Sequence, residues 1–387
     1  MPEDLSRAEL AALVRTVFAP GPGDRSLVLL TDLPDREVPD HPAWADRRRL
    51  AAGWAARLRE AREDLGLDSV DLVLYRNARR PNADLPARGW EWDPASPLPA
   101  GAEAVPPSTP EVPLEEVLAG HRLVIACTEM SATAPLKLAA PRLGFRAATM
   151  PGFTREMVPA LRLDWEEIDR RCRALAALLD EAEGAHFLFE AGGEFHELFL
   201  DLRFRKATAS GGLVREPGRA GNVPSGEAFI VPWEGERPGE PSRSRGTIPV
   251  DLEGELVVYE VRENRAVAVR GDGPAAQKER AFLAAEPAYG NLAELGLGVL
   301  SEFGIRPIGE LLLDEKLGPH IAFGRSDHFG GSVGAKDFSR PGNVVHIDRV
   351  FLPEMQPGVL LRSLVLTFPG GEGRVLFRDG RYVPDAF

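Results

Sequence analysis

The sequence predicts an α/β protein: an N-terminal Rossmann-like α/β domain over residues 1–184, followed by a β-rich α+β domain over residues 185–387. Three observations lead there. Apolar runs alternate with helical segments through the first half, the longest clean helix closes that half, and beyond it short strand-like runs are cut by Gly, Pro and Asn turns. A chain of 387 residues also exceeds what one hydrophobic core usually organises, so two domains are the default.

Taken in order, "MPEDLSRAELAALVRTVF" is an acidic amphipathic helix that lacks the basic-then-apolar order of a signal peptide. "SLVLLTD" (26–32) reads as a buried strand, residues 43–66 as a helix and "SVDLVLYR" (69–76) as a second buried strand. A Pro-rich loop over 92–113 is followed by "HRLVIACT" (121–128), the helical "APLKLAAPRLG" and "RAATMP" (146–151). Strands that are apolar throughout have no polar face to show to water, which is the pattern of parallel strands covered by crossover helices on both sides.

In "LDWEEIDRRCRALAALLDEAEG" (163–184), Asp164 is placed to cap the helix with Glu167 three residues on, and Leu175, Leu178 and Leu179 mark an apolar face. The domain boundary is expected near its end, at residue 184. Then come "HFLFEAGG", "AFIVPW", "GTIPVDL", "ELVVYEVREN" and "AVAVRG", with one helix, "GPAAQKERAFLAAEP". The segment 234–246 reads as one exposed loop.

Composition excludes several function classes. Hydrophobic content of 44% and charged content of 27% are those of an ordinary globular protein. A net charge of −13 argues against a nucleic-acid partner, which demands clustered Lys and Arg. Two cysteines, Cys127 and Cys172, supply neither a disulfide framework nor a Cys-type zinc site. No apolar run reaches the ~18 residues of a membrane span, so no membrane partner and a cytoplasmic location are expected.

The familiar nucleotide and nucleophile motifs are also missing. "GPGD" at 21–24 precedes a strand and contains Pro22, and "GGSVGAKD" at 330–337 lacks the Lys-Ser/Thr ending of a phosphate loop. No Gly-x-Ser-x-Gly elbow occurs, and Ser225 reads as a turn residue.

The histidines say more. His320, His328 and His346 fall within 27 residues, each beside a Gly-rich turn or an apolar strand. In "GNVVHIDRVF", His346 and Asp348 are two apart in a strand-like run and so point to one face. A buried carboxylate needs a partner, and a His–Asp hydrogen bond, an ion pair or a shared metal ion would each serve. Glu227, where a turn enters the strand 228–232, and Glu294, in the Gly-studded "GNLAELGLGVL", enlarge the set to three carboxylates and two imidazoles. That is more negative charge than one divalent ion needs, and a dinuclear centre fits the count. Two ions sharing a carboxylate and a water generate hydroxide at neutral pH, which is hydrolytic chemistry.

"GNVPSGEAFIVPWEG", "GNLAELGLG", "LLLDEKLGPHIAFG…FGG" and "VVHIDRV", in that order and spacing, resemble the M29 metallopeptidases, the T-type or thermophilic leucyl aminopeptidases. "LVIACTEMSATAPLKLAAPRLGFRAATMPGFTREM" and "DWEEIDRRCRALAALLDEA" are similar to that family's N-terminal domain, so the resemblance runs from about residue 115 to "RVLFRDGRY". It implies a homodimer acting on a peptide substrate, with two divalent metal ions (Zn, Co, Mn or Mg) held by Glu227, Glu294, His320, His346 and Asp348. Glu294 would be the bridging carboxylate, and a metal-activated hydroxide would release N-terminal residues. The chain departs from the family at Asp327, where the peptidases place a tyrosine seven residues after the first histidine, and at "GGEFHELFL", where they have "GTDL". Asp327 and the adjacent His328 are the candidate catalytic residues. The same scaffold is similar to ring-cleaving dihydroxypyridine dioxygenases, for which His320, His346 and Asp348 would suffice as an Fe(II) triad. A noncatalytic metal-binding relative is the third reading.

Overall fold

The computed structural model describes residues 4–387. The chain forms a mixed α/β fold that divides into two compact units. The first comprises the described part of Met1–Glu167 with Gly212–Ser225 and Glu310–Leu313; the second comprises Ile168–Gly211, Gly226–Gly309 and Asp314–Phe387.

The first unit is built on a seven-stranded sheet in the order Ala220–Asn222, Arg146–Pro151, Leu123–Thr128, Ser26–Leu33, Ser69–Arg76, Arg88–Trp92, Glu111–Pro113. The first five strands are mutually parallel and the last two antiparallel. Leu123–Thr128 is buried at every residue, and Ser26–Leu33 at all but its first, which explains their unbroken apolar runs. Val28, Leu30, Val124 and Ala126 face one layer, where Leu136 and Ala140 of the helix Thr133–Leu143 cover them. The helix Pro42–Glu60 packs on the same central strands with buried Trp44, Leu50 and Trp54. It stops six residues before the end of the helical run read from the sequence, because residues 61–66 form turns. The loop expected over 92–113 starts and ends inside the sheet, since Arg88–Trp92 pairs with Glu111–Pro113.

The helix Trp165–Glu181 begins where the sequence places it, with Glu167 N–H donating to Asp164 Oδ1 at 3.1 Å. The division into compact units differs from a boundary at residue 184. From Ile168 onward this helix packs within the second unit, where Arg171 lies over the rings of Phe303 and Phe387, and Asp169 is pressed against Gly211. The strand Ala220–Asn222 returns to the first unit by pairing with Arg146–Pro151.

The second unit is β-rich. Eight antiparallel strands run in the order Arg265–Arg270, Glu255–Arg262, Arg245–Leu252, Glu194–Asp201, Gly184–Ala191, Val359–Thr367, Gly373–Arg378, Arg381–Tyr382. A second antiparallel sheet has the order His346–Val350, Pro319–Gly324, Leu292–Gly298, Glu227–Ile230, Thr208–Ser210. That five-stranded sheet carries the candidate site. No helix among the described residues is long and apolar enough to cross a membrane.

Candidate metal centre

Four adjacent strands of the five-stranded sheet each contribute to one polar cluster. Register explains how. Glu294 and Asp348 both lie opposite Ala322, His320 lies opposite Gly296, His346 opposite Gly324, and Glu227 opposite Gly298. Residues that are opposite, or two apart on one strand, share a face. His320, His346, Asp348, Glu294 and Glu227 therefore all project from one side of the sheet. Between them on that side lie Gly296, Gly298, Ala322 and Gly324, none with more than a methyl, while Phe229 and Val350 occupy the same face opposite Gly296 and His320. The other side carries the buried Leu295, Leu297, Ile321 and Phe323.

Two local features aim the ligand-type groups. The ladder shifts register between Leu292 and Glu294, a bulge of the kind that re-aims the next side chain. Gly296 leaves room for the imidazole: a Cβ there would lie 2.0 Å from His320 Nε2.

The resulting distances are short. His320 Nε2 lies 3.5 Å from Glu294 Oε1, 3.6 Å from Glu227 Oε2 and 3.9 Å from Asp348 Oδ1. His346 Nε2 lies 3.1 Å from Glu294 Oε2 and 3.5 Å from Asp348 Oδ1. Two sets, Glu227–Glu294–His320 and Glu294–His346–Asp348, have ligand atoms within 4.8 Å of one another, and Glu294 belongs to both.

The electrostatics call for a cation. Two carboxylates this close repel by roughly 3–4 kcal/mol even at an effective dielectric constant of about 20. Burial pushes Glu227 up, while Glu294 and Asp348 are held down by the two imidazoles against their own desolvation. Burial would lower His320, but Glu294, Asp348 and Glu227 together raise it to about 9. Glu227 Oε2 and Asp348 Oδ2 are buried without a hydrogen-bond partner, and Glu227 Oε2 faces His320. Both Nδ1 atoms are committed elsewhere, His320 to the carbonyl of Gly318 at 3.1 Å and His346 to that of Arg325 at 2.8 Å. A carbonyl only accepts, so each Nδ1 carries a hydrogen and each Nε2 is turned to the carboxylates, donating to them while the ring is protonated and offering a cation its lone pair once that proton leaves. Orphaned carboxylate oxygens beside two oriented imidazoles fit a divalent metal ion.

The structure brings the five candidate ligands together and leaves Asp327 aside. Asp327 accepts from Arg325 Nε at 2.5 Å and is partly exposed. His328 stands at the rim, its ring 5.2 Å from that of His346. The strand His346–Val350 is the edge of its sheet, so His346 is half-buried, unlike a fully buried strand.

Two neighbours, Lys316 and Glu234, carry little signal in the sequence. Lys316 is buried and its ammonium donates to Glu227 Oε1 at 2.5 Å and to Glu315 Oε1. Its one sequence signal is its place in "DEKLGPH", four residues before His320. Glu234, assigned above to an exposed loop, has a buried side chain. It accepts from Asn291 Nδ2 at 2.8 Å, Ser326 Oγ at 2.5 Å, and the amide and hydroxyl of Ser332 at 2.6 and 2.8 Å. Ser242 and Ser244 of the same segment are buried too, whereas residues 236–239 are exposed as the composition suggests.

No family model matches the chain, and no curated protein matches it. Among solved structures it is similar to 2,5-dihydroxypyridine dioxygenase from Pseudomonas putida KT2440, with a TM-score of 0.61 and 16% identity over 98% of both chains. It is also similar to wild-type AmpT from Thermus thermophilus, with a TM-score of 0.53 and 16% identity over 97% of this chain and 98% of that one. At such identity the likeness is one of fold.

Proposed function

We propose that this chain is a metal-dependent hydrolase with a two-ion centre, acting as an aminopeptidase on short peptides. The observation that carries the reading is Glu294, whose two oxygens face two different imidazoles. One ion would be held by Glu227, Glu294 and His320, the other by Glu294, His346 and Asp348. Three carboxylates leave one ion of charge +2 with excess negative charge, whereas two ions leave one positive charge to receive an anionic nucleophile. Such ions would acidify water and polarise a carbonyl. The chain's own groups supply the rest. Gly296, Gly298, Ala322 and Gly324 keep the sheet face open, and the carbonyls of Gly318 and Arg325 hold the imidazoles in one tautomer. Asp327, ionised on Arg325, can accept a hydrogen bond but cannot donate one to an oxyanion. Of the two candidate catalytic residues, His328 is the one near enough to meet a substrate. The peptide specificity rests on the resemblance to the M29 aminopeptidases, with the fold likeness to AmpT in support.

The test combines metal analysis with a peptide panel. Two ions per chain are expected, with EDTA-sensitive release of N-terminal residues from dipeptides and aminoacyl amides. A metal-loaded protein that hydrolyses no member of a broad panel removes the peptidase assignment.

A second reading has its own observation. His320, His346 and Asp348 converge as two imidazoles and one carboxylate, the donor set of mononuclear iron oxygenases, on a fold similar to a dihydroxypyridine dioxygenase. One tightly bound iron, with oxygen uptake in the presence of a dihydroxypyridine, would establish it instead. That reading leaves Glu227 and Glu294 without a use.

A further inference from the structure

The two halves of the cluster are not equivalent. Both oxygens of Glu294 face imidazoles, and Asp348 is approached by the same two rings. Glu227 differs, because its Oε1 is already taken by the Lys316 ammonium and its Oε2 alone is turned to His320. Lys316 has little freedom to leave. Its carbonyl accepts from Leu300 N–H at 2.9 Å, and a Cβ at Gly298 would lie 2.3 Å from its carbonyl carbon, so its backbone is packed onto the Glu294 strand. Glu315 holds the ammonium from the other side.

We propose that Lys316 is an internal cation that grades the two ion positions, so that the Glu227–Glu294–His320 position binds its ion more weakly than the Glu294–His346–Asp348 position. The proposal rests on the two-ion reading above. The ammonium repels a divalent ion placed on the far oxygen of the same carboxylate, and it draws off part of the charge that this ion would use. In return it compensates Glu227 while the site awaits its ion. Lys316 is thus a positioning residue with two measurable consequences, an unequal pair of affinities and a metal-free site stable enough to fold.

The experiment is Mn(II) titration of the full chain by calorimetry, with bound Mn counted by elemental analysis and thermal melts taken with and without Mn(II). The wild type should take up two ions in two separated steps. Lys316→Met should tighten the second step by about tenfold or more and leave the first unchanged. Its metal-free melting temperature should fall, and its gain on adding Mn(II) should grow. Glu315→Gln frees the ammonium to act on Glu227 alone and should weaken the second step. His320→Ala should abolish the weaker step and keep the tighter one. Loss of the second ion in Lys316→Met, an unchanged second step, or loss of the tighter step in His320→Ala would overturn the proposal. Should Lys316→Met not fold, Glu315→Gln and His320→Ala decide the matter by the same criteria. A wild type that binds one ion overturns the two-ion reading along with the grading, whereas two ions with a second step indifferent to residues 315 and 316 overturn the grading alone.

Discussion

Gly296 shows how the absence of one side chain places the charge of another. His320 lies across the strand from it with Nε2 where a Cβ would be, so Gly296→Ala should push the imidazole off its position. The expected cost is about 1–3 kcal/mol in stability from overpacking, with a larger relative loss in metal affinity, checked by denaturation and metal titration. His346→Ala removes a group contacting both Glu294 and Asp348, and bound metal should drop while far-ultraviolet dichroism stays native. An unchanged metal content in that variant would mean that the pair is an ordinary satisfied His–Asp contact. The five clustered residues were legible in the sequence because each interrupts an apolar or Gly-rich context, where a charge calls for a partner. Lys316 was not, because a lysine between Glu315 and Leu317 in "LLDEKLG" reads as solvated until the tertiary structure buries it.

At the scale of the element, the chain between the strands Pro319–Gly324 and His346–Val350 is pinned by two carboxylates. Glu234 gathers Ser326 and Ser332, and Glu286 accepts from the Ser339 amide at 3.0 Å and from the Asn343 side chain. His328 lies between the two residues that Glu234 holds. Glu234→Ala leaves the Ser326 hydroxyl and the Ser332 amide and hydroxyl without this acceptor, while Arg205 keeps Glu236 and the Gly330 carbonyl, and should cost about 1–3 kcal/mol. Hydrogen exchange over residues 326–332 should accelerate in that variant, while the strands of the five-stranded sheet remain protected. If exchange there is unaltered, the clamp is not what orders the loop. Neither clamp could be read from sequence. Glu234 and Ser326 are far apart in the chain, and a glutamate in a Pro- and Gly-rich segment looks exposed.

For the whole molecule, stability should carry an unusual pH signature from the first unit. Asp32, at the end of the strand Ser26–Leu33, is fully buried, and burial raises it to about 6 even though the amides of Glu129 and Met130 and the Trp44 indole donate to it. In the unfolded chain the same carboxyl ionises near its ordinary value of 3.8. Between those two values the native state holds the extra proton, so stability falls as pH rises through the window, by about 3 kcal/mol at most from this group. Below the lower value both states are protonated, and the contribution is fully present. Carboxylates held down by cations, such as Asp71 beside His121, act in the opposite sense, so the readout is a difference. Urea unfolding of the wild type and Asp32→Asn from roughly pH 4 to 7 should show the variant without this decline. Parallel pH profiles would mean that Asp32 stays ionised on its three donors.

The sequence by itself determined the kind of molecule: a parallel α/β half, a β-rich half and five metal-type side chains in settings that solvated residues do not need. Those properties are local, set by periodicity, by capping at Asp164 and by the desolvation cost of charges among apolar neighbours. Only the tertiary structure decided where the chain crosses between compact units, because the return of Ala220–Asn222 to the first sheet is a pairing with residues over seventy positions away. Only the structure placed Glu294 between two imidazoles, Lys316 on the near oxygen of Glu227 and Glu234 beneath the loop. Register between strands carries side chains distant in the chain to within hydrogen-bonding reach, and no pattern along the chain encodes which of them meet.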